Sequence, residues 1–519
     1  MKSKTKGLIV AGFFAVILLT STLTLALNSN PSQESPLTKT TVTGTPADNF
    51  PDLERPKFCS SGDAKSSSYV TEYKIPTDCT QPLAITVDDS GMVYFTQSNT
   101  GNIAKFDPTT SQFTEYDNLD WPEKGRSMMW GIDNANGDVW YTDDSFDSIW
   151  KFSTLDESYS RLPFPTREDS LPQRLQIMGD KIIVNDFYES KISIFDTTQT
   201  SENKVFSNIP SPLPGSFVGG FDIDQAGNIW YTNWMLRQGG ALVKFDYAAV
   251  SEFVAANPGQ NVTVSDYSKV YDLPASIGAP NGLSVDKYGN VWIADTASSS
   301  FYKFTESEQI FTKYTTPDAA ESTYGNATGI IKTPVTQPYW SEIQGDKLYF
   351  NEQAANALGV FDIEQESLVE YAIPSKNPNW ADCGMKSDCG IAQVFGFKVS
   401  GDKIWFTEWV ENKIGKVDLN KPITTTLAVS TKQITIPRGQ AMPIEITINT
   451  NTDTQILSKA TSEFSDITVK LPTTKISQSQ SIPVSIVTNP SALPGVYKVI
   501  LSARTADITV SEFITVVIQ

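Results

Sequence analysis

The stretch GDKIWFTEWVENKIGKVDL, Gly401 to Leu419, opens on a tight Gly-Asp turn and runs into a short aromatic and β-branched strand. It then turns through polar residues and returns as a second alternating strand. It is one copy of a repeat. Upstream copies read GMVYFTQ from Gly91, GDVWYTD from Gly137, GDKIIVND from Gly179, GNIWYTN from Gly227, GNVWIAD from Gly289 and GDKLYFNE from Gly345. A short alternating strand such as LAITVD or GLSVD precedes each copy. Two further strands, such as NIAKFDP and FTEYDNL, follow each of the first six. Four short strands per unit, at a spacing of about 40 to 50 residues, are the pattern of propeller blades. One four-stranded unit cannot bury both of its faces alone, and neighbours packed around an axis cover them. The expected fold is therefore all-β, with a seven-bladed β-propeller over residues 59–420.

The outer strands run FTEYDNL, YSRLPFP, NKVFSNIP, SKVYDLP, FTKYTTP and LVEYAIP, but the seventh unit stops at IGKVDLNKP without one. The missing strand lies ahead of the first unit, as VTEYKIP from Val70 to Pro76. Pairing it with the last unit closes the ring and removes a free sheet edge. Cys59 and Cys79 flank this strand, and Cys383 and Cys389 form a second local pair, so two disulfides are expected. Residues 421–519 change character to alternating Thr, Ser, Ile and Val runs such as MPIEITINT and GVYKVILSAR, which fit an immunoglobulin-like β-sandwich.

At the other end, Lys2, Lys4 and Lys6 precede an uncharged, mostly apolar run from Gly7 to Leu27. Residues 1–27 thus read as a signal peptide or, the favoured reading, an uncleaved anchor forming an N-terminal hydrophobic helix through the membrane. Residues 28–58, rich in Ser, Thr and Pro, read as a disordered linker. The body is then extracytoplasmic, held at the cell membrane or secreted if the leader is cleaved. The chain carries 40 basic and 59 acidic side chains, a net charge of −19, which argues against a nucleic-acid partner. Histidine is absent from all 519 residues, which excludes a Ser-His-Asp triad, a histidine base and a His-ligated zinc.

In a propeller the inner strands begin, and the second strands end, at the ligand-facing end. The residues that end the second strands are Gln97, Asp143, Asp186, Asn233, Asp295, Glu352 and Glu408, all bearing side-chain oxygen. Such a ring serves either a repeated hydrogen bond to neighbouring backbone, the expected role, or a hard cation, Ca²⁺ or Mg²⁺, on two or three members. Asp295, Glu352 and Glu408 are the metal candidates. Trp121, Trp130, Trp234, Trp340, Trp380 and Trp409 fall in or beside ligand-face segments, where they either line a cavity for a small molecule or glycan or pack beneath long loops. A protein partner at this face is the further option. The long insertions are Thr316–Pro338 and Ser375–Gly390. Arg174, at the start of an inner strand, meets either a ligand carboxylate or, as favoured, Asp143 or Asp186. Asn261 and Asn326 sit in glycosylation motifs.

The repeats GDKIWFTEWVENKIGKVDL, GMVYFTQSNTGNIAKFDP and GNVWIADTASSSFYKF resemble those of the virginiamycin B lyase family. That resemblance implies a lyase that opens a cyclic depsipeptide ester by elimination, with a histidine base and a carboxylate-held Mg²⁺. Glu408 matches a metal carboxylate, but no residue can match the base. APNGLSVDKYGNVWIAD is similar in part to a blade of the gluconolactonase/senescence-marker family, and implies Asn281 as a metal ligand. The expected function is an exported ligand-binding or interaction platform, which needs no certain cofactor. A divalent-metal-dependent lyase or lactonase for cyclic esters, without a histidine base, is the alternative.

Overall fold

The computed structural model describes residues 58–59, 62–121, 126–163, 170–198, 206–213, 215–235, 239–257, 260, 262–326, 334–386, 388–462 and 465–519. The apolar leader 1–27, nearly all of the linker 28–58 and the Asn261 motif lie outside them. Among the described residues no helix is long and apolar enough to cross a membrane.

The architecture is all-β, and the repeat governs it. The inner strands Pro82–Val87, Ile132–Ala135, Pro172–Met178, Phe217–Ile223, Pro280–Val285, Pro338–Gln344 and Phe397–Ser400 each start a four-stranded antiparallel unit. They touch in cyclic order, the seventh against the first. In the seventh unit the outer strand is Val70–Lys74, antiparallel to Lys413–Asp418, with Val70 opposite Val417. Between units the second and third strands bury large aromatic side chains, among them Trp230 and Trp292 on second strands and Trp150 on a third. At four inner-strand positions near the axis there is no room even for a methyl group. A Cβ on Gly131, Gly220, Gly282 or Gly396 would lie 2.2–2.5 Å from a carbonyl oxygen of the following unit's inner strand.

Hydrogen bonds link each unit to the next at one repeated position. Thr96, Thr142 and Thr232 donate their hydroxyls to the carbonyls of Met129, Gln173 and Pro280. The Asn185 amide reaches Val218 and Gly219, and the Asn351 amide reaches Val394 and Phe395. Thr407 closes the circle on Leu83 O at 2.7 Å. The fifth unit has Ala294 at this position, and Thr296, two residues on, donates to Pro338 O instead.

The C-terminal residues form two packed sheets. One contains Thr426–Val429, Ala441–Asn449, Gln480–Thr488 and Ile467–Lys470; the other contains Ile508–Ile518, Gly495–Arg504, Thr454–Ala460 and Lys475–Ile476. The strand Ile508–Ile518 also pairs with Ser367–Ala372, the outer strand of the sixth unit, with Tyr371 opposite Ile508. Its far end runs parallel to Gln433–Ile436. One sheet therefore passes from the propeller into the C-terminal region, and a single apolar cluster spans both, from Leu358 and Tyr371 to Ile514. This join covers an otherwise open strand edge. Beside it, the buried Lys498 Nζ donates to Glu366 at 2.6 and 2.7 Å and to Thr515 Oγ1 at 2.9 Å, while Tyr314 OH donates to the same Glu366.

Lys498→Met removes the cation that Glu366 and Tyr314 share across this join. It should cost about 2–3 kcal/mol, discounted for the partial exposure of Glu366 and read as a lower denaturation midpoint of the full chain. In the inter-unit belt, Asn351→Leu strands two carbonyls and the Trp340 N–H that its Oδ1 accepts. It should cost about 3 kcal/mol or more, against about 1 kcal/mol for Thr407→Val, in the same assay.

Candidate functional site

The inner strands enclose an axial cavity of about 260 Å³. Two tiers of side chains face it. Arg174 and Trp340 occupy the first tier, where the other units place only Gly or Ala. The Arg174 guanidinium lies over the Trp340 ring, 5.6 Å from its centroid, and its Nη1 is 3.4 Å from Leu283 O and 3.3 Å from Ser341 O. Expected pairing with Asp143 or Asp186 does not occur. Those carboxylates turn into their own loops: Asp143 accepts from Ser127 and Trp150, and Asp186 from Ser170 and the Leu171 N–H.

Two residues further along each inner strand, the second tier is polar in every unit. Three of its members are carboxylates, each accepting a backbone N–H from the next unit. Asp133 takes Ile177 N at 2.9 Å, Asp222 takes Val285 N at 2.8 Å and Glu342 takes Val399 N at 3.2 Å. Lys398 Nζ donates to Glu342 at 2.9 Å. Burial opposes the charge on Lys398, yet Glu342 and Asp133 together raise its pKa. Burial likewise raises the Asp133 carboxyl, against the pull of the Ile177 N–H. The sequence carried a signal for this tier: LAITVD, GIDNA, RLQIM, GFDID, GLSVD, WSEIQ and GFKVS align on one polar residue between two others of the strand. Reading only the second-strand ends passed over it.

Of the ligand-face tryptophans, Trp130 and Trp340 line the cavity. Trp380 and Trp409 pack edge-on with each other at 5.6 Å and with Phe58, under the loop closed by the Cys383–Cys389 disulfide. Trp234 packs on Phe187 and Phe217, away from the axis. The two long insertions meet, since Asn326 N donates to Asp382 O and Gly390 N to Ser322 O. The Cys59–Cys79 disulfide is also formed.

The metal candidates are spread over three units: Asn281 and Asp295 in the fifth, Glu352 in the sixth and Glu408 in the seventh. Asn281 donates to Thr296 Oγ1, and Asp295 accepts from Gly278 N, Ala279 N and Ser298 Oγ. Glu352 and Glu408 are fully buried within the sixth and seventh units. Burial, then the neighbouring Glu72, holds the Glu408 carboxyl well above its ordinary range. Among the described residues no group of three or more Cys, Asp or Glu side chains is arranged to hold a metal.

No protein-family model and no curated protein sequence matches the chain. Solved structures do match. The selenomethionine-substituted virginiamycin B lyase of Staphylococcus aureus superposes with a TM-score of 0.51 at 20% identity, covering 69% of this chain and 100% of that one. A streptogramin B lyase gives 0.51 at 19% identity, covering 68% and 100%. A catalytically inactive histidine-to-alanine variant of the S. aureus lyase, crystallised with quinupristin, gives 0.50 at 20%, covering 69% and 100%. The likeness shows the fold: a propeller of the virginiamycin B lyase type.

Beside Asp143, the half-buried Asp144 accepts from Ser127, Met128 N and Ser145. Burial, then the Asp143 charge, pushes its carboxyl up to about 6. A carboxyl raised in the folded state holds its proton more tightly there than in the unfolded chain. Its contribution is complete below about pH 4 and is lost as the pH climbs through the folded value. Asp144→Asn should therefore be less sensitive than the parent to a rise from about pH 5 to about pH 7.5, by about 1–2 kcal/mol in paired denaturation curves.

Proposed function

We propose that the protein is an exported, cell-surface seven-bladed propeller with an immunoglobulin-like C-terminal sandwich, and that it binds its ligand rather than converting it. The ligand class that fits the axial cavity is a small zwitterion of amino-acid or dipeptide size. Its carboxylate would lie on Arg174, its apolar part on Trp340, and its ammonium by Asp133. The observation that carries this reading is the Arg174 guanidinium, stacked on an indole and partnered by backbone carbonyls rather than by a carboxylate. A bound ammonium would also relieve the raised Asp133 carboxyl.

Two considerations weigh against a lyase. Replacing one histidine by alanine gave the inactive form of the S. aureus enzyme, and this chain contains no histidine. Glu408, which matches the family's metal carboxylate, is enclosed in its unit among Glu72, Glu411 and Lys413, beyond reach of a ligand on the axis. The two disulfides fit an oxidising compartment, and the apolar leader supports delivery there.

Calorimetric titration of the full chain with amino acids, dipeptides and simple carboxylates tests the reading. At least one zwitterion should bind, and Arg174→Gln should weaken it by about tenfold or more. If none binds, or if Arg174→Gln binds as well as the parent, the cavity reading is wrong. Mg²⁺-dependent opening of a cyclic ester would instead favour the lyase or lactonase reading.

A further inference from the structure

Three units build the same side-chain pair, and they neutralise it differently. The last residue of the second strand meets a glutamate of the outer strand. A small residue, Ala104, Gly359 or Gly415, stands opposite that glutamate and leaves it room. In the first unit the pair is Gln97 with Glu115, and the amide donates to the carboxylate, so only one charge is present. In the seventh it is Glu408 with Glu72, and a buried lysine supplies the counter-charge. Lys413, opposite Glu408, places Nζ 2.7 Å from Ser375 Oγ, 3.1 Å from Glu411 and 3.8 Å from Glu72.

The sixth unit has the two glutamates without the lysine. Glu352 and Glu370 meet, and the residue opposite Glu352 is Ala357. Both glutamates are buried, Glu352 at 0% and Glu370 at 4% exposure. Neither carboxylate oxygen of Glu352 has a hydrogen-bond partner, and nor does Glu370 Oε2. The Thr316 and Thr336 hydroxyls, 2.6 Å apart and fully buried, adjoin Glu352. The nearest cations, Arg504 and Lys459, are committed elsewhere: Arg504 to Asp318 O and Thr509, Lys459 to the Asp318 carboxylate at 2.7 Å. Two adjacent buried carboxylates with no counter-charge cannot both stay ionised; they must share a proton or take up a cation.

We propose that the sixth unit holds a divalent cation between Glu352 and Glu370, with the Thr316 and Thr336 hydroxyls completing its oxygen shell. Two carboxylates balance a double charge, and with two hydroxyls they offer about six hard oxygens. Ca²⁺ fits better than Mg²⁺, which keeps several waters and demands near-ideal octahedral geometry. The site lies in the sixth unit and the segment that leads into it from the fifth, off the axial cavity, and does not depend on the function proposed above.

The test uses the full chain, stripped with chelator and titrated with Ca²⁺ alone at about pH 7.5, followed by calorimetry, elemental analysis after desalting, and melting. One Ca²⁺ per chain should be retained and should raise the melting midpoint by about 3 °C or more, reversed by chelator. Glu370→Gln should weaken Ca²⁺ by about tenfold or more. Ala357→Lys, which installs the seventh unit's ammonium, should abolish the Ca²⁺ response and stabilise the stripped protein. Arg174→Gln should leave the response intact. No Ca²⁺ uptake with unchanged melting would overturn the proposal and assign a shared proton to the pair. Uptake that survives both Glu370→Gln and Ala357→Lys would overturn it too, by placing the ion elsewhere.

Discussion

The architecture rests on a polar side chain that ends no strand and faces no solvent. In nearly every unit a Thr or Asn near the end of the second strand donates to a carbonyl in, or just ahead of, the inner strand of the following unit. Inner strands of a propeller are laterally unpaired on their axial side, so their carbonyls there need an external donor. Meeting that need fixes each unit against its neighbour. It draws the inner strands so close that Gly is required at Gly131, Gly220, Gly282 and Gly396. That closeness leaves an axis narrow enough for one arginine and one indole to fill its first tier. The carboxylates of the second tier bind the next unit's N–H groups, so the charges that line the cavity also hold it together.

The repeat was legible because its cause is local. Turn chemistry, strand alternation and the aromatic second strand lie within a few residues of each other, and the unpaired outer strand at Val70 follows from counting. Both cysteine pairs were legible for the same reason. The join to the C-terminal region was not, since an edge strand shows in its sequence only that it is a strand. Nothing in LVEYAIP marks Ser367–Ala372 as the outer strand that, among the described residues, takes a further partner. Side-chain direction was also hidden. Trp380 and Trp409 stand in ligand-face segments yet turn into each other, whereas Trp340 turns to the axis. For Arg174, the aspartates near in sequence had already been satisfied by loop donors, which left the guanidinium to the cavity.

Repetition also supplies internal controls. The glutamate of VTEYKIP and that of LVEYAIP occupy the same place in their units, opposite Gly415 and Gly359. Their surroundings then diverge, with Lys413 and Glu411 in one and Ala357 and Ala355 in the other. That divergence between equivalent sites separates what the fold requires from what one unit has acquired. The fold tolerates the paired acids, and each unit must find its own counter-charge.

The Cys59–Cys79 bridge spans the closing strand. Backbone from residue 59 to residue 79 forms a loop whose two ends are covalently joined, with Val70–Lys74 inside it. Any tension arriving along the chain from the N-terminal side crosses the sulfur bridge and continues directly into Pro82–Val87, an inner strand. The closing strand is thus mechanically bypassed. A pull on the chain ahead of Cys59 would load the middle of the ring in covalent series and leave the seam that closes it slack.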